Sequence, residues 1–349
     1  MLTYILKRLL LMVPTLVGVL FVTFAITQFV PGGPVEQYLS AASGRTAGKG
    51  GGDGGSTMIK YRGSEGVDEK QLAQIKALYG FDKPPAQRFW DMLVAYAKFD
   101  LGQSFFQHKA VWDLILEKLP VSVSLGLWTL LISYGVAIPL GIAKAVRHGS
   151  RFDLVTTLLV LVGYAIPGFV LGVALLVLFG GGSFLQWFPL RGLTSPQFDQ
   201  LSLMGKVVDY LWHIALPVTA MVLGSFAVVA MLTKNSFLEE ISKQYVLTAR
   251  AKGLSERRVM WKHVMRNAMI PIVTGLPAAF VSAFFAGSLL IETLFSLDGL
   301  GLLSYESVIR RDYPVVLGAL YLFTLIGLVV KLISDVLYTW VDPRVKFDA

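Results

Sequence analysis

The sequence predicts an all-α polytopic membrane protein with six transmembrane helices, and three observations carry the prediction. Hydrophobic residues make up 54% of the 349 residues and charged ones 15%, where a soluble globular domain has about 45–50% and about 25%. Six windows of 18 residues or more contain no Lys, Arg, Asp or Glu, each of which costs at least about 2.5–3.5 kcal/mol at mid-bilayer. The basic residues of the short connecting segments gather on one side of those windows, as they do in cytoplasmic loops. A water-soluble enzyme and a disordered or fibrous chain are thereby excluded. The absence of cysteine removes disulfides, thiolate metal sites and cysteine nucleophiles. The net charge of +8 reads as orientation, not as a nucleic-acid surface.

The windows run Leu9–Val35, Leu119–Ala143, Leu154–Leu190, Tyr210–Thr233, Asn267–Ile291 and Tyr313–Val330, each enough for the roughly 20-residue helix that crosses hydrocarbon. The first span, residues 1–30, is too long for a signal h-region and is expected to stay as an anchor. The third window, 37 residues long, counts as one span broken at Gly180-Gly181-Gly182, with Trp187 and Pro189 interfacial beyond the break. The sixth should continue to about Tyr338, with Lys331 and Asp335 one turn apart near its aqueous end, where they can pair or snorkel. Prolines inside the windows, Pro14, Pro139, Pro167, Pro217, Pro271 and Pro277, should kink helices that neighbouring groups then re-satisfy.

In the short segments, fifteen Lys and Arg lie on the side of the termini and four, Arg191, Lys206, Arg310 and Arg311, on the other, which places both termini in the cytoplasm; the long first loop exceeds the length over which the rule applies and does not count. Residues 31–118 form a large periplasmic loop. Its part 44–66 holds nine glycines in 23 residues and reads as a flexible linker; Lys49 lacks the following Ser or Thr of a phosphate loop. Its part 68–98 reads as helical, first through Leu72, Ile75, Leu78 and Tyr79 up to Gly80, then from Pro85 to Lys98 with Phe89, Met92, Leu93 and Tyr96 on one face. This piece should cap the outer ends of the spans, with a gate or docking site as the alternative. Residues 119–342 are the core of five helices, and 343–349 a cytoplasmic tail.

The cytoplasmic loop 235–266 reads helix, glycine, helix. No breaker interrupts Ile241–Lys252, Gly253 can take the left-handed turn, and Ser255 can cap a helix starting at Glu256. The result is a small, basic elbow, for which anionic lipid and a plain positive-inside anchor are the competing uses. Histidines fall in four separate segments (His108, His148, His213, His263), so no metal site is expected, and His213 beside Trp212 reads as a satisfied interfacial residue.

The run Tyr245–Leu254, followed by Trp261-Lys262-His263 and Arg266–Pro271, resembles the signature loop of permease subunits of binding-protein-dependent ABC importers. Tyr4–Arg8 with Pro14-Thr15, Pro31–Pro34, Asp100–Ser104, Phe295–Gly301 and Arg311–Pro314 are similar to the di- and oligopeptide branch, the Yej-type permeases linked to oligopeptides and microcin C above all. Leu247-Thr248-Ala249 stands where the wider family has Glu-Ala-Ala, a departure usual in the peptide branch. The resemblance implies a type I ABC importer transmembrane domain in the bacterial inner membrane, with Tyr245, Thr248, Ala249, Arg250, Ala251, Lys252 and Gly253 as the ATPase-coupling loop. It also implies a second homologous permease, two ATP-binding domains carrying ATP and Mg, and a periplasmic substrate-binding protein. The chain itself has no catalytic residues in this reading: Gly48-Lys49 and Gly205-Lys206 both lack the following Ser or Thr of a Walker A loop. A secondary, ion-coupled transporter or channel subunit and an integral membrane enzyme remain as other classes; the first would place ionisable groups at mid-bilayer, where the windows hold only groups such as Gln28.

Overall fold

The computed structural model describes residues 2–29, 82–180, 184–285 and 288–341, all helices and loops without a β-strand among them. The Gly-rich stretch 44–66, the expected helix through Leu72 and Tyr79, Gly181-Gly182 and the tail 343–349 lie outside the described residues. In chain order the helices are α1 Leu2–Phe29, α2 Pro85–Ala97, α3 Val111–Val146, α4 Arg151–Ala165, α5 Gly168–Phe179 and α6 Leu203–Ile241. They continue as α7 Gln244–Ala251, α8 Glu256–Ala268, α9 Ile270–Phe285, α10 Leu289–Leu294, α11 Leu300–Ile309 and α12 Tyr313–Val341. Four of them, α1, α3, α6 and α12, are long and apolar enough to cross a membrane, and the bent pairs α4–α5 and α8–α9 bring the number to as many as six. The chain packs as two units, 9–115 with 304–325, and the remainder.

In the first unit α2 starts where proline is favoured at a helix N-terminus and presents the expected face. Phe89 meets Phe21 and Phe24 of α1 at 5.6 and 5.3 Å between ring centroids, and buried Tyr96 lies 5.1 Å from Tyr321. Two motifs that stand far apart in sequence are one contact here: the Ser104 hydroxyl donates to Asp312, and the Phe105 N–H donates to the same carboxylate at 3.0 Å.

In the second unit the core lies between α3, α5, α6 and α10, around Leu125, Ile214, Leu216 and Phe295. Helices α3 and α6 approach closely at Gly141, where a Cβ would stand 2.6 Å from Thr233 Cβ and 2.7 Å from the Ala230 carbonyl oxygen. At one end of that contact Lys144 is fully buried, its ammonium donating to Thr157 Oγ1 at 2.6 Å and lying 3.5 Å from Asp153 Oδ1. Lys234 reaches the same carboxylate at 2.7 Å, so the turn from α3 to α4 is tied to α6. The charge on α12 is met from α1: Arg8 lies 2.9 Å from Asp335, and the Tyr4 hydroxyl donates to it.

The third window departs from expectation. It is broken before the glycines, at Ile166-Pro167, and the two helices bend by 91°. Ile166 is extended (φ −83°, ψ 117°), the conformation that a following proline imposes, and Gly168 then passes so near α6 that a Cβ would be 2.9 Å from the Ala220 carbonyl oxygen. Helix α5 does end at Phe179, with Gly180 as its C-cap. Pro14, Pro139, Pro217 and Pro277 stand within continuous helices; Pro271 sits in the first turn of α9, at the 48° bend after α8. His213 is satisfied as expected, with Nδ1 bonded to the Asp209 carbonyl at 2.7 Å. Fully buried Glu292 accepts the Leu302 N–H at 2.7 Å. A Cβ on Gly299 would sit 2.6 Å from its carboxyl carbon, which is why the Phe295–Gly301 turn needs glycine there.

Candidate functional site

The elbow is built from α7, the Gly253 turn and α8. Helix α6 does not run on into it as expected: the Ser242 hydroxyl donates back to the Glu239 carbonyl at 2.8 Å, and Lys243 is extended (φ −74°, ψ 149°) before α7 begins. A serine that bonds its own backbone in this way competes with helix propagation. The turn at Gly253 is left-handed, φ +77°. The Leu254 N–H returns to the Ala249 carbonyl at 3.4 Å and the Gly253 N–H to that of Arg250 at 2.9 Å, the paired closure of a Schellman motif. Its usual apolar contact is present too, since Leu254 packs on the cluster that contains Ala249. Ser255 occupies the N-cap position of α8 but makes no side-chain cap bond.

The seven residues expected at the site separate into four groups. Thr248, Ala251, Lys252 and Gly253 are exposed and form the accessible tip. Ala249 is not presented outward, as expected, but is buried with Val246, Val259, Val264 and Ala268 against Ala145 and Phe237; its small size lets α7 lie close to α8. Arg250 is not a free cation at the tip, because its guanidinium makes a two-point pair with Glu256, Nε to Oε1 at 2.8 Å and the second nitrogen to Oε2 at 3.1 Å, across the turn. Tyr245 is half-buried and acts as a knot: its hydroxyl donates to Glu240 at 2.5 Å and accepts from the Asn267 amide at 3.1 Å. Burial first, then the bond to Glu240, raises the Tyr245 phenol above its ordinary value of 10.0. Lys243 is raised as well, chiefly by its bond to Glu240.

Glu240 and Glu256 were not expected at the site, and Trp261 and Asn267 entered only as part of the resemblance, without a role. Glu256 and Asn267 are six and twenty-two residues from their partners across turns, so no helical spacing marks them. Trp261, 64% exposed, follows from a feature that α-helical periodicity misplaces. Residues Val259–Val264 form a π-helix, and Val259 and Val264, both fully buried, share one face at a spacing of five. Such one-turn insertions recur at functional sites, and this one leaves Trp261 and Lys262 exposed. Beneath the elbow lies a cavity of about 460 Å³ between Phe237, Ile241, Arg250, Trp261 and Met265.

The family described as Binding-protein-dependent transport system inner membrane component matches residues 137–347, the elbow included. The chain is 55% identical to the Peptidoglycan transport system permease protein YejB of Agrobacterium fabrum, over 99% of this chain and 98% of that one. It is 52% identical to the Inner membrane ABC transporter permease protein YejB of Escherichia coli O157:H7, over 99% of both. It is 34% identical to the Dipeptide transport system permease protein DppB of Escherichia coli K12, again over 99% of both.

Proposed function

Because this chain belongs to the family of binding-protein-dependent transport inner membrane components, we propose that it forms half of the pore of an ATP-driven importer that moves peptides and peptide conjugates across the bacterial inner membrane. The observation that carries this reading is full-length similarity to permease proteins of transport systems, the YejB of a peptidoglycan transport system and the DppB of a dipeptide transport system. A second, homologous permease completes the pore, a periplasmic protein delivers substrate, and two separate subunits bind and hydrolyse ATP with Mg. The elbow is the coupling element. Thr248, Ala251, Lys252 and Gly253 form the tip that seats in an ATP-binding subunit, and Trp261 and Lys262 widen it. Tyr245, Ala249 and Arg250 act from within: they hold the tip to the inner ends of α3 and α6, so that a displacement of the docked subunit moves those helices as a piece. ATP then shifts the population between inward- and outward-open arrangements.

The test is purification of the tagged chain from its host, followed by reconstitution in liposomes. ATP-binding subunits should co-purify, and labelled trialanine should enter only with hydrolysable ATP inside the appropriate compartment and with the binding protein present. Uptake that follows an imposed ion gradient without ATP would make the chain a secondary transporter and overturn the proposal.

A further inference from the structure

A cavity of about 740 Å³ lies within the second unit among α3, α5, α6, α9 and α10, inside the range of about 300–1,000 Å³ in which small-ligand sites fall. Among the described residues that line it there is no Asp, Glu, Lys, Arg or His. Its polar groups are hydroxyls. Ser133 and Ser225, both on its wall, bond to each other at 2.7 Å, and Ser225 in turn donates to the Val222 carbonyl, so Ser133 supplies the proton of the pair and keeps lone pairs to offer.

Thr129, one helical turn before Ser133, departs from a pattern that five other described threonines follow. Thr15, Thr219, Thr233, Thr248 and Thr274 each donate to the carbonyl four residues back. Thr129 is 92% buried by the same measure that leaves it 8% exposed, yet its hydroxyl has no hydrogen-bond partner. A buried hydroxyl left unmade is unfavourable when the local carbonyl is the usual remedy, and this one lines the cavity. Opposite, Gly224 on α6 also lines it, and a Cβ there would meet nothing within 4 Å, so the width of the space is set by the missing side chain.

Resting on the reading of the chain as a peptide importer subunit, we propose that this cavity is a station on the translocation route that receives an uncharged, amide-bearing segment of substrate, with Thr129 as the contacting hydroxyl and Gly224 as the determinant of width. Hydroxyls donate and accept, so they serve both the N–H and the C=O of a peptide backbone whatever the side chains. A charged group would meet no counter-ion among the described residues that line the space, which is unfavourable. The station therefore favours neutral backbone over charged groups, and among neutral segments it does not depend on the side chain.

The absence of cysteine makes the test direct. In the assembled, reconstituted transporter Gly224→Leu fills open space, whereas Gly135→Leu, on an exposed position of α3 where a Cβ also meets nothing, is the control. Gly224→Leu should cut trialanine uptake by about tenfold or more while ATP hydrolysis stimulated by the binding protein stays near the parental rate. Thr129→Val, equal in shape, should raise the KM for trialanine about threefold to tenfold, the worth of one hydrogen bond. Gly224→Cys should react with a neutral methanethiosulfonate reagent, and trialanine with binding protein should slow the reaction. Parental uptake by Gly224→Leu, equal loss in Gly135→Leu, or a Gly224→Cys that the reagent does not reach overturns the station. A parental transporter that carries no peptide overturns the functional reading instead, and a Gly224→Cys that is reached but not protected by trialanine then rejects the substrate class as well.

Discussion

Gly253 holds the left-handed conformation that closes α7, and a Cβ there meets nothing of this chain within 4 Å. Gly253→Ala and Gly253→Val therefore share a backbone cost of about 1–2 kcal/mol, and only the valine adds bulk toward a docked subunit. Both variants should insert normally. Substrate-stimulated ATP hydrolysis by the purified complex should fall modestly for alanine and nearly vanish for valine; parental hydrolysis and transport by Gly253→Val would remove the elbow as the coupling element. Tyr245 tests the internal side of the same device. Tyr245→Phe leaves the half-buried Glu240 without one of its donors, at about 1–3 kcal/mol, and should lower the thermal midpoint in detergent at pH 8. The phenol is raised above 10.0 in the folded chain, so it contributes stability that is complete below that pH and is lost as pH rises through the folded value. The gap between parent and variant should accordingly narrow above pH 10, and a gap that widens there would show that the Glu240 bond is not its source.

At the scale of elements, contact between α3 and α6 depends on what is missing from Gly141. A side chain there would press on Thr233 and on the α6 backbone, a geometry in which small residues let helices approach. Gly141→Leu should lower stability by about 1–3 kcal/mol as an overpacked contact, whereas Gly135→Leu on the same helix should leave it within about 0.5 kcal/mol, as an exposed site does. Thermal unfolding in detergent distinguishes them, and equal midpoints for the two would mean that α3 and α6 are not held by this contact. Asp153 governs the neighbouring tie. Removing its charge strands Lys144 and Lys234 in a buried site, so Asp153→Asn should cost about 3–5 kcal/mol, visible as loss of folded protein after membrane extraction; an unchanged yield and midpoint would deny the tie its importance.

For the whole molecule the expectation is six crossings, counting α4–α5 and α8–α9 as one each, with both ends of the chain in the cytoplasm. Reporter fusions after Gly149 and Gly253 should read as cytoplasmic, and a fusion after Ser304 as periplasmic. If the 91° pair enters and leaves on one side, the reporter after Gly149 and one after Leu190 would agree, and the count would fall.

Local pattern determined much of this protein. Charge-free length found the stretches that became α1, α3, α6 and α12, because the cost of charge in lipid is written residue by residue. The apolar face of α2 and the turn at Gly253 were legible for the same reason: helical periodicity and left-handed backbone are properties of a few neighbouring residues. What remained to the tertiary structure depends on partners distant in the chain. Ser104 finds Asp312, Lys234 finds Asp153, and Arg250 turns from the tip to Glu256, each by a contact that no spacing encodes. The small side chain of Ala249 suits an approachable loop and equally a residue buried between helices, and only the packing of Val259 and Val264 at π-helical spacing decides which. The bend at Pro167 was within reach as a proline, yet its angle is set by how closely Gly168 passes the backbone of α6, and that distance exists only once both helices are folded together.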